Sequence, residues 1–158
     1  TFQAFLIKTS ELVQNGNSIY FFNNQNNFYS LDLNTGIINW SESLSSNLRP
    51  IIVDDIIMTV SDKGYLYIME KQSGNIIRIT DVFSNFKLNK RKKIQPTGFV
   101  ASQNNIYLST NIGQLLVVKT SDGKKSLSYK ISREKISKPY INNRKLYVVK
   151  NNEIIRLD

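Results

Sequence analysis

The stretch FYSLDLNTGIINW, Phe28–Trp40, sets two short apolar runs on either side of Asn34-Thr35-Gly36 and closes on the only Trp of the chain. Alternation of apolar and polar residues from Phe28 to Leu33 is the period-two signature of a half-buried strand. Gly36 supplies a position that tolerates φ > 0 at a hairpin turn. Taken alone, the stretch is one hairpin. The rest of the chain repeats it.

Extended back to Asn17, the unit reads NSIYFFNNQNNFYSLDLNTG over residues 17–36. It returns as DIIMTVSDKGYLYIMEKQSG over 55–74, as NIYLSTNIGQLLVVKTSDG over 105–123, and as KLYVVKNNEIIRLD over 145–158. The closing glycine falls at Gly36, Gly74 and Gly123, and a proline opens a new unit at Pro50, Pro96 and Pro139. The mean spacing, about 44 residues, is the period of a four-stranded propeller blade. Helix periodicity is almost absent, and turn residues interrupt the apolar runs every eight to twelve positions, roughly the rhythm of an all-β fold.

Each unit divides into strands A to D. The first has A near 12–14, B at 18–22, C at 27–33 and D at 37–43; the second has 50–53, 56–61, 65–70 and 75–82. The third has 98–102, 105–110, 114–119 and 124–130, and the fourth has 139–142, 145–150 and 153–157 with no residues for D. The expected architecture is an all-β propeller of antiparallel blades, about four in this chain, forming one domain over 1–158. Its blades lie at 9–43, 50–83, 97–130 and, incomplete, 138–158. A blade that stops at strand C leaves an open edge, an association hazard. Phe2–Lys8, FQAFLIK, is an orphan outer strand that either closes the fourth unit or completes a blade ahead of the first. The second option makes the chain half of a propeller of about eight blades. Thr1 is preceded by neither a Met nor a signal sequence, as expected of a chain trimmed of a leader, lipid anchor or upstream domain.

Composition narrows the chemistry. The 158 residues include no Cys and no His, which removes thiol nucleophiles, disulfides, zinc-finger ligands and the commonest general base. No run approaches the roughly 20 apolar residues that span a bilayer. The net charge of +9 is uneven: residues 1–86 hold five basic and eight acidic side chains, a net −3, and residues 87–158 hold sixteen and four, a net +12. Such a split fits an anionic partner, or a solvated rim in a Lys- and Asn-rich sequence.

FYSLDLNTGIINW closely resembles the repeat LYALDxxTGxxxW of propellers named for pyrroloquinoline quinone (PQQ). The matching positions are Tyr29, Leu31, Asp32, Thr35, Gly36 and Trp40. The second unit keeps Tyr65-Leu66-Tyr67 and Ser73-Gly74 but has Arg78 in place of Trp; the third keeps Asp122-Gly123 and has Leu127 there. Two kinds of protein carry this repeat: quinoprotein dehydrogenases, which bind the quinone with Ca²⁺, and non-enzymatic scaffolds. Among the scaffolds is the propeller lipoprotein family of the outer-membrane β-barrel assembly machinery. The terminal KLYVVKNNEIIRLD, ending just after a C strand, is similar to the way that lipoprotein family ends.

The resemblance implies a non-enzymatic scaffold for protein–protein interaction in the bacterial envelope, periplasmic and associated with the outer membrane. Its partners would be components of outer-membrane protein assembly, or a second half-propeller, rather than nucleic acid. It also implies that Trp40 docks between blades, and that Asp32, Gly36, Gly74, Asp122 and Gly123 are repeat structure. The alternatives are a fragment of a PQQ-dependent dehydrogenase whose site lies in sequence not included, and a basic module for anionic polymers or lipids. A dehydrogenase of this class uses adjacent cysteines and an acid or amide cluster around Ca²⁺. Cysteines are absent, and Asp54, Asp55, Asp62 and Asp81 read as ordinary turn carboxylates. No catalytic, cofactor-binding or metal-ligating residue is therefore assigned. Tyr129 and Tyr140 beside basic residues suit single-stranded nucleic acid in principle, but they occupy strand positions where aromatics are favoured anyway.

The partner-binding candidates lie in FKLNKRKKIQP, Phe86–Pro96, which lengthens one D–A connection and collects Lys87, Lys90, Arg91, Lys92 and Lys93. D–A and B–C connections emerge on the same side of antiparallel blades, so this loop shares a rim with Asp62 and Lys63 and with the turns at 23–27, 111–113 and 151–152. Long loops on rigid frameworks carry function.

Overall fold

Residues 9–23 and 25–157 are described by the computed structural model, with Lys125 and Ser126 as backbone only. The strand expected over residues 2–8 lies outside the described residues. The alternating segments pair into four antiparallel meanders. The first blade runs β1 (Val13–Asn15), β2 (Ser18–Phe22), β3 (Asn27–Asp32) and β4 (Ile38–Ser43). The second runs β5 (Ile51–Val53), β6 (Ile56–Val60), β7 (Tyr65–Glu70) and β8 (Ile76–Asp81). After a single helical turn, α1 (Leu88–Arg91), the third runs β9 (Pro96–Ala101), β10 (Asn105–Thr110), β11 (Gln114–Lys119) and β12 (Lys125–Lys130). The fourth has three strands, β13 (Tyr140–Asn142), β14 (Lys145–Lys150) and β15 (Glu153–Leu157).

The strands follow the sequence periodicity closely, with two informative departures. β9 starts at Pro96, two residues earlier than the pattern indicates, because a proline is tolerated at the first residue of a strand and a bulge at Ser109/Thr110 absorbs the irregular ladder. The helical turn α1 has no periodic signal, since four residues are too few to express one.

Side chains on the two faces of each sheet serve different neighbours. Tyr20, Phe22, Phe28, Trp40 and Leu44 of the first blade meet Ile57 and Met69 of the second. Val60, Leu66 and Phe83 on the other face of the second blade meet Phe99, Ile106, Leu108, Leu116 and Val118 of the third. Leu115 of the third meets Val148 of the fourth, with Ile136 from the connection between them. The core is thus three inter-sheet layers, and each inner blade is apolar on both faces. Full burial of one such side chain is worth about 1.5–3 kcal/mol, and each inner blade gains this from neighbours on both sides.

A register shift recurs at the same point of three blades, just after Ser30, Ile68 and Val117 in the C strand. The residues opposite those positions are Trp40, Arg78 and Leu127. A bulge re-aims the local side chain, and here it points these three toward the following blade. The C–D turn that receives Trp40 contains Gly74, at φ +76°, where an added Cβ would lie 2.7 Å from the indole. Gly36 has a similar φ of +69° with nothing within 4 Å of a built Cβ.

Gly36→Ala should therefore cost only the left-handed backbone penalty, about 1–2 kcal/mol. Gly74→Ala carries that penalty plus displacement of the Trp40 ring, and should cost measurably more in urea denaturation. Equal losses would show that the ring does not sit tightly on the turn.

Candidate functional site

The repeat residues first need to be separated from surfaces free to engage something else. Asp32 Oδ1 accepts from the backbone N–H of Asn34 and Thr35 at 3.0 and 2.8 Å and from Thr35 Oγ1 at 2.9 Å. In the second blade Ser73 Oγ donates to Glu70 at the matching positions. Asp122 stands one step before its glycine and accepts from Lys124 N–H at 2.8 Å, as Thr35 Oγ1 accepts from Ile37 N–H and Ser73 Oγ from Asn75 N–H. These groups fold their own turns. The Thr35 backbone and hydroxyl, followed by the Asn34 N–H, hold the Asp32 carboxyl below its ordinary value, with desolvation opposing them.

Trp40 is spent on packing. Its ring lies edge-on to Phe28 at 5.4 Å and 6.0 Å from Tyr20, and Nε1 donates to the Lys71 carbonyl at 3.0 Å. Arg78 does the same work with different chemistry: its Nη2 and Nη1 donate to the carbonyls of Thr120 and Ser121 at 2.8 and 3.0 Å, across the turn closed by Gly123. Position 78 looks like a loss of the motif in sequence, and in space it is a substitution of a guanidinium fork for an indole. Leu127 has no polar group for this task and is 51% exposed.

The basic loop is anchored. Phe83 and Ile94 at its two ends are buried in the layer between second and third blades, and Asp81 accepts from Arg91 Nη2 at 2.6 Å while also receiving Phe83 N–H at 3.0 Å. Arg91 is therefore a brace. Phe86 packs edge-on to Phe83, and Lys90 Nζ lies 5.2 Å from the Phe86 ring. Lys87, Lys92, Lys93 and Leu88 point outward, Leu88 being 74% exposed. Asp62 is likewise engaged, accepting from Ser45 Oγ at 2.9 Å and Asn47 Nδ2 at 3.2 Å, and its neighbour Lys63 is exposed.

Hydrogen bonds extend this rim to the next connection. The turn at Asn111–Gly113 is clasped on one side by Lys93 O and Gln95, and on the other by Ile131 and Ser132 N–H, both donating to Gly113 O. Lys130 Nζ donates to Ile112 O at 2.6 Å. Arg133 follows in the connection to the fourth blade, with Lys150 and Asn151 beside it across a shallow cleft, and Lys135 comes two residues later, exposed. Sequence reading singled out the first basic segment because it is contiguous. The second, split between residues 133–135 and 150, becomes a unit only in the fold.

A quinone and Ca²⁺ would require a convergent set of acidic or amide oxygens. Among the described residues, no group of three or more His, Cys, Asp or Glu side chains converges. Asp55 pairs with Lys71 at 3.6 Å, Asp62 with Ser45 and Asn47, and Asp81 with Arg91. The described residues thus form no acidic cluster for that pair of groups.

Residues 6–80 match the PQQ-type family profile described as outer membrane protein assembly factor BamB. By fold the chain is a β-propeller of antiparallel four-stranded blades. Within that class it is similar to BamB from Moraxella catarrhalis, at 14% identity and a TM-score of 0.68, covering 96% of this chain and 46% of that one. The chain thus spans less than half the length of that protein. The computationally designed protein Ika4 is also similar, at 10% identity and a TM-score of 0.76, covering 99% and 94% of the two chains. Quinohemoprotein alcohol dehydrogenase from Comamonas testosteroni shares 11% identity with a TM-score of 0.63, over 76% of this chain and 20% of that one. No curated protein matches the sequence.

Two outcomes follow. Arg78→Lys, which loses the planar fork, should destabilise the protein by about 1.5–3 kcal/mol, read by denaturation. A loss as small as that of an exposed lysine swap would refute the docking role. Asp32 has a folded pKa below its unfolded one, so its stabilisation is complete above the unfolded value, near 3.9, and is lost as pH falls through the folded value. Asp32→Asn should flatten the acid limb of stability against pH and leave its slope above neutrality unchanged.

Proposed function

We propose that this chain is a non-enzymatic propeller scaffold for protein–protein interaction in the bacterial envelope, serving assembly of outer-membrane proteins. Its proposed place is the periplasmic side of the outer membrane, as part of a lipoprotein whose propeller has about eight blades. In this reading residues 1–158 form a single domain of repeats. The observation that carries the proposal is the sequence match to the BamB profile over residues 6–80. An anchored basic loop supports it, because a rigid frame with a charged, ordered rim is what docking by shape and charge requires. Lys87, Lys90, Lys92 and Lys93, flanked by Arg91, Asp62 and Lys63, form the proposed docking surface.

The dehydrogenase reading has the alcohol dehydrogenase likeness in its favour, and that likeness concerns fold alone. Titration of the full-length protein with quinone and Ca²⁺ separates the two: saturable binding would favour the enzyme and count against a pure scaffold.

Charge reversal of the four loop lysines should reduce recovery of partners from detergent-solubilised envelope extracts by at least about tenfold. Stability should stay within about 0.5–1 kcal/mol, since these are surface positions and only Lys90 has a ring contact. Undiminished recovery of every partner would remove the loop from the docking surface.

A further inference from the structure

The loop lysines are not an isolated patch. Through the clasped turn at Asn111–Gly113 they are continuous with Arg133 and Lys150, and exposed Lys135 follows in the same connection, so one rim of the second to fourth blades is a basic arc. Glu134 and Glu153 are the exposed acids beside it, and Asp81 is already paired with Arg91. Leu88 stands at the crest of the arc, on a helical turn held rigidly from below by Phe83, Phe86 and Ile94.

We propose that this arc rests on an anionic lipid surface, with lysines among the headgroups and Leu88 entering the interface. The proposal rests on the scaffold reading for this rim being a working face, and gives Leu88 and the extension of the arc beyond the loop a lipid surface beside the protein contacts of the loop lysines. Three features suit a lipid surface there. First, the outward cations are almost all lysines, which are hydrated point charges without the fork that fixes a carboxylate in one geometry. Second, the charge is spread along the rim instead of gathered in a pocket, which suits a continuous surface of headgroups. Third, an apolar side chain exposed among lysines is the composition of segments that lie in the membrane interface.

The test is co-sedimentation of the full chain with phosphatidylcholine vesicles, with and without phosphatidylglycerol. Binding should require the anionic lipid and weaken steeply as salt rises and the Debye length shortens from about 10 Å at 0.1 M. Reversing Arg133 and Lys150 together should weaken it by tenfold or more, at roughly fivefold per basic side chain lost near the surface. Leu88→Ser should lower vesicle affinity roughly tenfold and leave binding to heparin, a soluble polyanion, unchanged. Circular dichroism confirms that the variant folds. Failure to bind anionic vesicles overturns the proposal. So does vesicle binding that Leu88→Ser leaves intact, or tighter binding to polyglutamate than to vesicles, which would mark an acidic protein partner. Because no protein partner is present, failure here is distinct from failure of the extract experiment, where detergent removes the lipid surface.

Discussion

The indole of Trp40 pressed on the backbone of Lys71–Gly74 is the contact on which the rest of the arrangement turns. A twisted four-stranded sheet with two apolar faces has no stable orientation by itself, because burial is non-directional and many stackings would hide the same area. A hydrogen bond from Nε1 to the Lys71 carbonyl and a ring against a residue without Cβ admit only one offset between neighbours. The bulge opposite Trp40 aims the side chain, the glycine opens the place it lands, and the carbonyl fixes its depth. Neighbouring sheets then meet with Phe28, Ile57 and Met69 in register, each of them fully buried.

The same contact explains how the repeat can drift in sequence without losing its shape. What the next blade needs is a donor at that point, long enough to reach a carbonyl of its glycine turn. Arg78 meets this need with charge-assisted hydrogen bonds, at the cost of bringing a cation into a partly buried seam. Leu127 cannot meet it, and the seam it faces is looser: the space between third and fourth blades opens into a cleft lined by Tyr107, Leu127 and Tyr129 on one side and Arg156 and Leu157 on the other. Degeneracy of the motif therefore has a physical gradient, from close docking at the first seam to open packing at the third.

Most of the fold was legible in the sequence because a blade is a local object. Period-two alternation, glycine at the C–D turn and proline before a new unit all act within about ten residues, and β2, β7, β10, β11, β14 and β15 fall where they indicate. What was not legible is what depends on a partner far along the chain. Arg91 reads as one more member of a basic run, and only the fold brings it to Asp81 at 2.6 Å. Asp62 reads as a turn carboxylate open to a partner, and the preceding connection occupies it through Ser45 and Asn47. Arg133, Lys135 and Lys150 have no contiguity to draw notice, and the rim they extend exists only once D–A and B–C connections are folded to the same side.

That division also bears on how a propeller acquires a working surface. The seams are fixed by ring, fork and glycine, and they tolerate little charge, so net charge is driven to the rims. On the rims a long connection would ordinarily lose in conformational entropy what it gains in contact, at about 1–2 kcal/mol per ordered residue. Here the loop from Phe83 to Ile94 has its entropy reduced in advance: both ends are buried in the seam, and an ion pair ties Arg91 back to Asp81 at the end of β8. Lysines and a leucine on such a loop meet a surface with little left to order, so a modest number of weak contacts can add up to useful affinity. In the proposed docking, the residues that prepare the rim are those that never reach it, Phe83, Ile94 and Asp81, and a variant that loosened them would weaken that docking while leaving every outward cation in place.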